Sequence, residues 1–177
     1  AWLASAIGLL VAFCALLYAV SEGGHPPSFY FFFLLLVFGM QGVILTGDLF
    51  NLFVFLEVLS IASYILIAGP RKPQALVAAF RSLLIGSLGI SFFLLGIFLL
   101  YRAAGTLSMR LLAGSFAGAA PGARRQLELA LACLTVGAGV KAAFLPFYSW
   151  LPDAHANAPH PVSAVLSGVI IKVSFLV

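Results

Sequence analysis

Long apolar runs alternate with short polar or breaker-rich connections along the whole chain. Residues 2–20 form the first run, which closes at Ser21-Glu22-Gly23-Gly24-His25-Pro26-Pro27, a stretch of turn residues and helix breakers. The second, 28–46, is rich in phenylalanine and leads through Gly47-Asp48 into the third, 48–68. That run stops at Gly69-Pro70-Arg71-Lys72-Pro73. In the fourth, 75–102, Ser82, Gly86, Ser87, Gly89, Ser91 and Gly96 are small enough to let neighbouring helices approach closely. The fifth, 127–151, and the sixth, 162–177, lie either side of a loop containing Pro152, Asp153, His155, Pro159, His160 and Pro161.

About 20 apolar residues cross a hydrocarbon layer about 30 Å thick, and these runs have that length. Only helices and closed barrels satisfy the backbone in lipid, and the runs are too continuously apolar for barrel strands. The expectation is an all-α, polytopic transmembrane bundle of about six spanning helices, forming one domain over residues 1–177. The longest polar connection, 103–126, carries Arg110, Arg124 and Arg125, and its residues 107–116 suit a short interfacial helix. The chain opens at Ala1-Trp2 inside one apolar segment and stops at Phe175-Leu176-Val177 inside another. It therefore reads as an internal piece of a longer protein.

Composition sharpens the class. Hydrophobic residues make up 63% of the chain and charged residues 8%, against about a quarter charged in soluble domains. The chain is expected in a membrane, as a multi-pass protein embedded in the lipid bilayer. The net charge of +4 is spread over loops and helix ends, so no nucleic-acid partner is expected. Arg102, Arg110, Arg124 and Arg125 outweigh Arg71 and Lys72 on the opposite side, a bias that nominally places the long connection in the cytoplasm. Cys14 and Cys133 lie inside apolar runs, form no CxxC, and read as small core residues.

Three charged residues break the apolar pattern. Glu57 stands about the middle of the third run, Lys141 near the middle of the fifth, and Lys172 about ten residues into the sixth, roughly 15 Å along it at 1.5 Å per residue. A charge at the bilayer centre costs roughly 2.5–3.5 kcal/mol even on the mild insertion scale, and marks an ion or proton path by default. Opposite signs on separate helices point to a shared polar interior. Ser60 and Tyr64 follow Glu57 at i+3 and i+7 and extend one polar stripe on its helix. The plain alternative is a structural scaffold in which a static buried ion pair sets helix register, leaving Lys172 unexplained.

Other polar residues carry weaker signals. Asp48 is placed either as an N-cap of the third helix or at an ion mouth. Arg81, about a turn and a half into the fourth run, either snorkels to the interface or points into the bundle. Asp153, His155 and His160 match no zinc or iron spacing and read as interfacial loop residues, the histidines suiting a proton mouth because they titrate near neutral pH. Pro146 can interrupt the fifth helix beside its lysine. No phosphate loop, haem attachment motif or nucleophile–base pair is present, so no cofactor, metal or redox centre is expected in this chain. Any electron transfer belongs to partner subunits.

Three motifs carry a resemblance. Gly47-Asp48-Leu49-Phe50-Asn51-Leu52-Phe53-Val54-Phe55-Leu56-Glu57-Val58 resembles a signature of the antiporter-like membrane subunits of complex I. So does Lys141-Ala142-Ala143-Phe144-Leu145-Pro146-Phe147-Tyr148-Ser149-Trp150-Leu151-Pro152-Asp153-Ala154-His155, followed by Ala158-Pro159-His160-Pro161-Val162-Ser163-Ala164-Val165-Leu166-Ser167-Gly168. Such subunits are shared among NADH–quinone oxidoreductase, Mrp-type sodium/proton antiporters and membrane-bound hydrogenases. The wording here most resembles the D-type component of Mrp antiporters.

The resemblance implies that the chain is the N-terminal half of an inverted-repeat transporter, in a prokaryotic inner membrane and among other membrane subunits. Glu57 and Lys141 would be its central Glu–Lys pair, and Lys172, on a broken helix, would relay protons onward. Tyr64, Arg81, His155 and His160 are candidate uptake or relay groups. Protons, or protons and sodium, would be the transported ions. The alternative membership, in NADH–quinone oxidoreductase or a hydrogenase, would make the chain part of a translocating enzyme without itself being catalytic.

Overall fold

The computed structural model describes residues 1–115 and 121–171, and these are almost entirely helical. Helix α1 spans Trp2–Glu22, α2 Pro27–Leu45, α3 Leu49–Ala68 and α4 Pro73–Ala104. These four are long and apolar enough to cross a membrane. A short α5, Met109–Ser115, is followed by α6, Pro121–Lys141, α7, Trp150–Asn157, and α8, His160–Val165, which continues as a π-helical segment, Leu166–Ile170. The short helix expected at 107–116 is α5. Lys172 and the rest of the sixth run lie outside the described residues.

Caps and prolines punctuate the helices. Pro27 and Pro73 stand in the first turns of α2 and α4, where their missing N–H groups cost nothing. Asp48 holds an extended backbone and its carboxylate accepts hydrogen bonds from the N–H groups of Phe50 and Asn51, at 2.9 and 3.1 Å. It is the N-cap of α3. The same corner is tied to the far end of α4 by two backbone bonds, Leu49 N–H to Leu107 O and Met109 N–H to Gly47 O, both 3.0 Å. The α2–α3 turn and the α4–α5 turn are thereby fastened together at one end of the bundle.

Consecutive helices pack side by side, α1 on α2, α2 on α3 and α3 on α4, and α4 then packs along α6. The contacts depend on small residues. A side chain at Gly39 would sit 2.9 Å from the backbone nitrogen of Leu59, so α2 and α3 meet at backbone distance. On α4, Gly89 receives Val140, and Gly137 of α6 lies against Phe93, each with room for no Cβ. Lipid tails give helices no hydrophobic reason to associate, so this close approach supplies the packing. Phe33, Leu36, Met40, Leu52, Leu56 and Phe93 fill the core between them. Large apolar side chains such as Phe31, Phe80, Leu88 and Phe98 face outward, as acyl chains require.

The fifth run differs most from its expected bounds. Instead of covering 127–151, α6 starts at Pro121 and ends at Lys141. Arg124 and Glu128 mark its start; the pair bridges at i,i+4 with 3.4 Å between charged atoms, and both are exposed, so these charges lengthen the helix rather than form a loop. Its end is closed by a Schellman-like reversal. The Phe144 N–H reaches Gly139 O at 2.8 Å, the Ala143 N–H reaches Val140 O at 3.2 Å, and Ala143 sits at φ 53°. Pro146, just beyond, would oppose helical backbone at the residue before it. Residues 152–157, expected as loop, instead belong to α7, Trp150–Asn157; Pro152 falls in its first turn, where proline is tolerated.

Removing the α3 cap gives a measurable consequence. Asp48→Ala should cost about 0.5–2 kcal/mol and lower the thermal unfolding midpoint in detergent, whereas Asp48→Asn, which caps about as well, should leave it nearly unchanged.

Candidate functional site

Ending α6 at Lys141 determines what surrounds its ammonium. The side chain is 9% exposed and sits at the C-terminal end of α6, where the helix dipole is negative and favours a cation. It reaches across to α3 and donates a hydrogen bond to Ser60 Oγ at 2.5 Å. Ser60 in turn donates to Leu56 O at 2.6 Å, so the hydroxyl's only proton is engaged with the backbone and its lone pairs are free for lysine. The ammonium also stands 5.9 Å from the centre of the Tyr64 ring, within cation–π range. Three elements meet here: the end of α6, the middle of α3, and α4, on which Gly86 leaves space for the Tyr64 hydroxyl.

The surroundings hold the α6 terminus in place. The indole N–H of buried Trp150 donates to Val140 O at 3.1 Å, joining the Ala143 N–H on a carbonyl at the helix end, where the i→i+4 partners run out. Buried Ser63 donates to Ser60 O at 2.7 Å, and buried Ser82 to Ala78 O at 2.9 Å. These serines line α3 and α4 with hydroxyls whose protons are held by their own helices.

Glu57 is half-buried, one turn before Ser60 on α3. Among the described residues no ion pair within 4 Å joins it to Lys141. The serine, not the carboxylate, is the direct partner of Lys141. The i+3 stripe pointed to Ser60, but that the lysine would dock on it depended on where α6 ends.

The remaining candidates lie elsewhere. Arg81 neither enters the core nor stands alone: it forms an ion pair with Asp153 at 2.6 Å, linking α4 to α7. Both side chains are well exposed, so the pair contributes about 0–1 kcal/mol. It borders a groove of about 320 Å³ between Pro73, Val77 and Asn157. Asp153 and His155 lie on α7 rather than in a loop, and His155 Nδ1 is 3.0 Å from Ser163 Oγ of α8. His160 is exposed at the start of α8. The Asp153 partnership was missed in the sequence; a lone arginine inside an apolar run was the signal for it. Among the described residues, no group of three or more His, Cys, Asp or Glu side chains gathers to hold a metal ion.

The lysine is thus bound to a hydroxyl and enclosed by three helices. Known proteins are similar to this chain in sequence and fold. Residues 46–177 match the family described as NADH:quinone oxidoreductase/Mrp antiporter, transmembrane. The chain is 42% identical over 181 residues to the N-type component of NADH-quinone oxidoreductase from Desulforudis audaxviator, covering 97% of this chain and 35% of that protein. It is 39% identical over 170 residues to the D-type component of a probable K(+)/H(+) antiporter from Rhizobium meliloti, covering 94% and 31%. Among solved structures it resembles a chain of the membrane-bound sulfane sulfur reductase, an archaeal respiratory membrane complex, with a TM-score of 0.89 and 35% identity over 96% of this chain and 35% of that one. The chain thus spans about a third of the length of these relatives.

The geometry around Ser60 makes a stability prediction. Ser60→Ala leaves a buried ammonium without its acceptor and should cost at least about 1–3 kcal/mol, read as a fall in the thermal unfolding midpoint. In a Lys141→Met background, where no charge needs the hydroxyl, the same substitution should cost markedly less.

Proposed function

The chain belongs to the NADH:quinone oxidoreductase/Mrp antiporter transmembrane family, and we propose from that membership that it is part of a subunit moving protons across the bilayer, with Lys141 taking up and releasing them. It is an integral, multi-pass membrane protein. The observation that carries the reading is a lysine buried where α6 ends, with a hydroxyl acceptor on α3 and a carboxylate one turn away. In a static scaffold an apolar residue would fill that space without the desolvation cost.

In the proposed cycle Glu57 governs the charge of Lys141 from a distance and Lys172 passes the proton onward. Moving one elementary charge through 100 mV exchanges about 2.3 kcal/mol, which a change of about two units in proton affinity covers at 1.36 kcal/mol each. Lysine suits this because it can give up its proton, which arginine cannot. His155 and His160 are candidate uptake groups, and Tyr64 a candidate relay. The protein works among other membrane subunits of a respiratory or antiporter complex in a prokaryotic inner membrane. Identities of 42% to an oxidoreductase component and 39% to an antiporter component are close, and neighbouring genes divide the two assemblies: flavin and iron–sulfur proteins mark the first, small antiporter proteins the second.

The test is transport by the full-length protein in its complex, reconstituted in vesicles. Glu57→Gln and Lys141→Ala should each reduce proton movement at least about tenfold, with assembly nearly intact. Normal transport in either variant would rule the mechanism out. For Lys172, both Lys172→Ala and Lys172→Arg should block transfer, since arginine keeps the charge but holds its proton. An active arginine variant would show that residue to be an anchor rather than a relay.

A further inference from the structure

One feature of the lysine site is a glycine on α4. Gly86 of α4 faces the gap between Tyr64 and Lys141. A Cβ at this position would collide with the Tyr64 hydroxyl, lie 3.0 Å from the ring carbon that bears it, and come 3.7 Å from Lys141 Nζ. The phenol oxygen thus occupies the volume that any side chain at residue 86 would need, and the ammonium stands within 4 Å of the same point. Tyr64 is one turn after Ser60 on α3, and Ser60 is itself bound to the lysine.

Close helix packing does not by itself account for this glycine. Gly89 and Gly96, on the same helix, meet the aliphatic side chains of Val140 and Leu134, which is what packing glycines do. Gly86 instead makes room for a hydroxyl beside a buried cation. Its neighbour Ser82, one turn earlier, is buried with its hydroxyl donating to Ala78 O.

We propose that Gly86 is a positioning residue for the proton site: by lacking a side chain it seats the Tyr64 hydroxyl beside the Lys141 ammonium, and it acts on transport through that hydroxyl alone. This rests on the reading of Lys141 as the proton-carrying group. A methyl group at residue 86 forces the phenol away from the ammonium, and displacement of a working group by about 1 Å is enough to cost on the order of a hundredfold in rate. Removing the hydroxyl removes the collision. The ring carbon that remains at 3.0 Å needs to give only a few tenths of an ångström.

A double-mutant cycle in the full-length complex tests this, with Gly86→Ala, Tyr64→Phe and the pair together. Each variant is measured for proton transport in vesicles over a range of pH and for thermal unfolding in detergent. Gly86→Ala should lower transport at least about tenfold, displace the pH profile in the same direction as Tyr64→Phe, and lower the unfolding midpoint. In the Tyr64→Phe background the alanine should add little to either loss. Wild-type transport and pH profile in Gly86→Ala would overturn the proposal. So would an alanine penalty of equal size with and without the hydroxyl, which is the mark of plain helix packing. Should Tyr64→Phe abolish transport outright, the unfolding midpoints still decide, since relief of the clash is read there. Lys141→Ala serves as the separate control: if it transports normally, the underlying reading of the site fails, whereas an inactive Lys141→Ala with a normal Gly86→Ala defeats only the role of the glycine.

Discussion

Burying the ammonium of Lys141 is the constraint on which the rest of the site depends. A charge withdrawn from water must be met by dipoles or opposite charge, and here three sources converge: the carbonyl end of α6, the Ser60 hydroxyl, and the face of the Tyr64 ring. All three are neutral groups. Among the described residues the ammonium is therefore met by dipoles rather than by a salt bridge. Lys141 is docked on the serine, and no ion pair within 4 Å joins it to Glu57.

That arrangement requires the helices to come close and then to stop in the right places. Closeness comes from residues without side chains: Gly39 between α2 and α3, and Gly89 and Gly137 between α4 and α6. Stopping is local chemistry. Asp48 starts α3 by accepting two backbone hydrogen bonds, and the reversal at Ala143 ends α6 just before Pro146. Alanine at a positive φ is less favourable there than glycine by about 1 kcal/mol. The Trp150 indole bond to Val140 O is among the contacts that hold the turn despite that cost.

The far side of α4 shows the contrast between site and surface. Arg81 and Asp153 form a close ion pair, yet their exposure to solvent or headgroups makes the bond weak. Lys141, held by a neutral hydroxyl, is the more consequential charge because it is enclosed. Depth, and not charge count, separates the two.

Much was legible from the order of residues alone. Apolar run lengths determined the helical bundle, since lipid leaves the backbone few other choices. Asp48 before an apolar run pointed to the α3 cap, and the isolated charges at Glu57 and Lys141 pointed to a polar interior because such residues are too costly to place without partners. The i+3 and i+7 spacing placed Ser60 and Tyr64 on the face of Glu57. What the tertiary structure alone decided was contact between helices: that Lys141 meets Ser60 rather than Glu57, that Arg81 finds Asp153 seventy-two residues away, and that Gly86 houses a hydroxyl while Gly89 houses a valine. Helix ends and rotations set these pairings. Both depend on how neighbouring side chains fill space together, a property that hydropathy and periodicity along one strand of sequence do not contain.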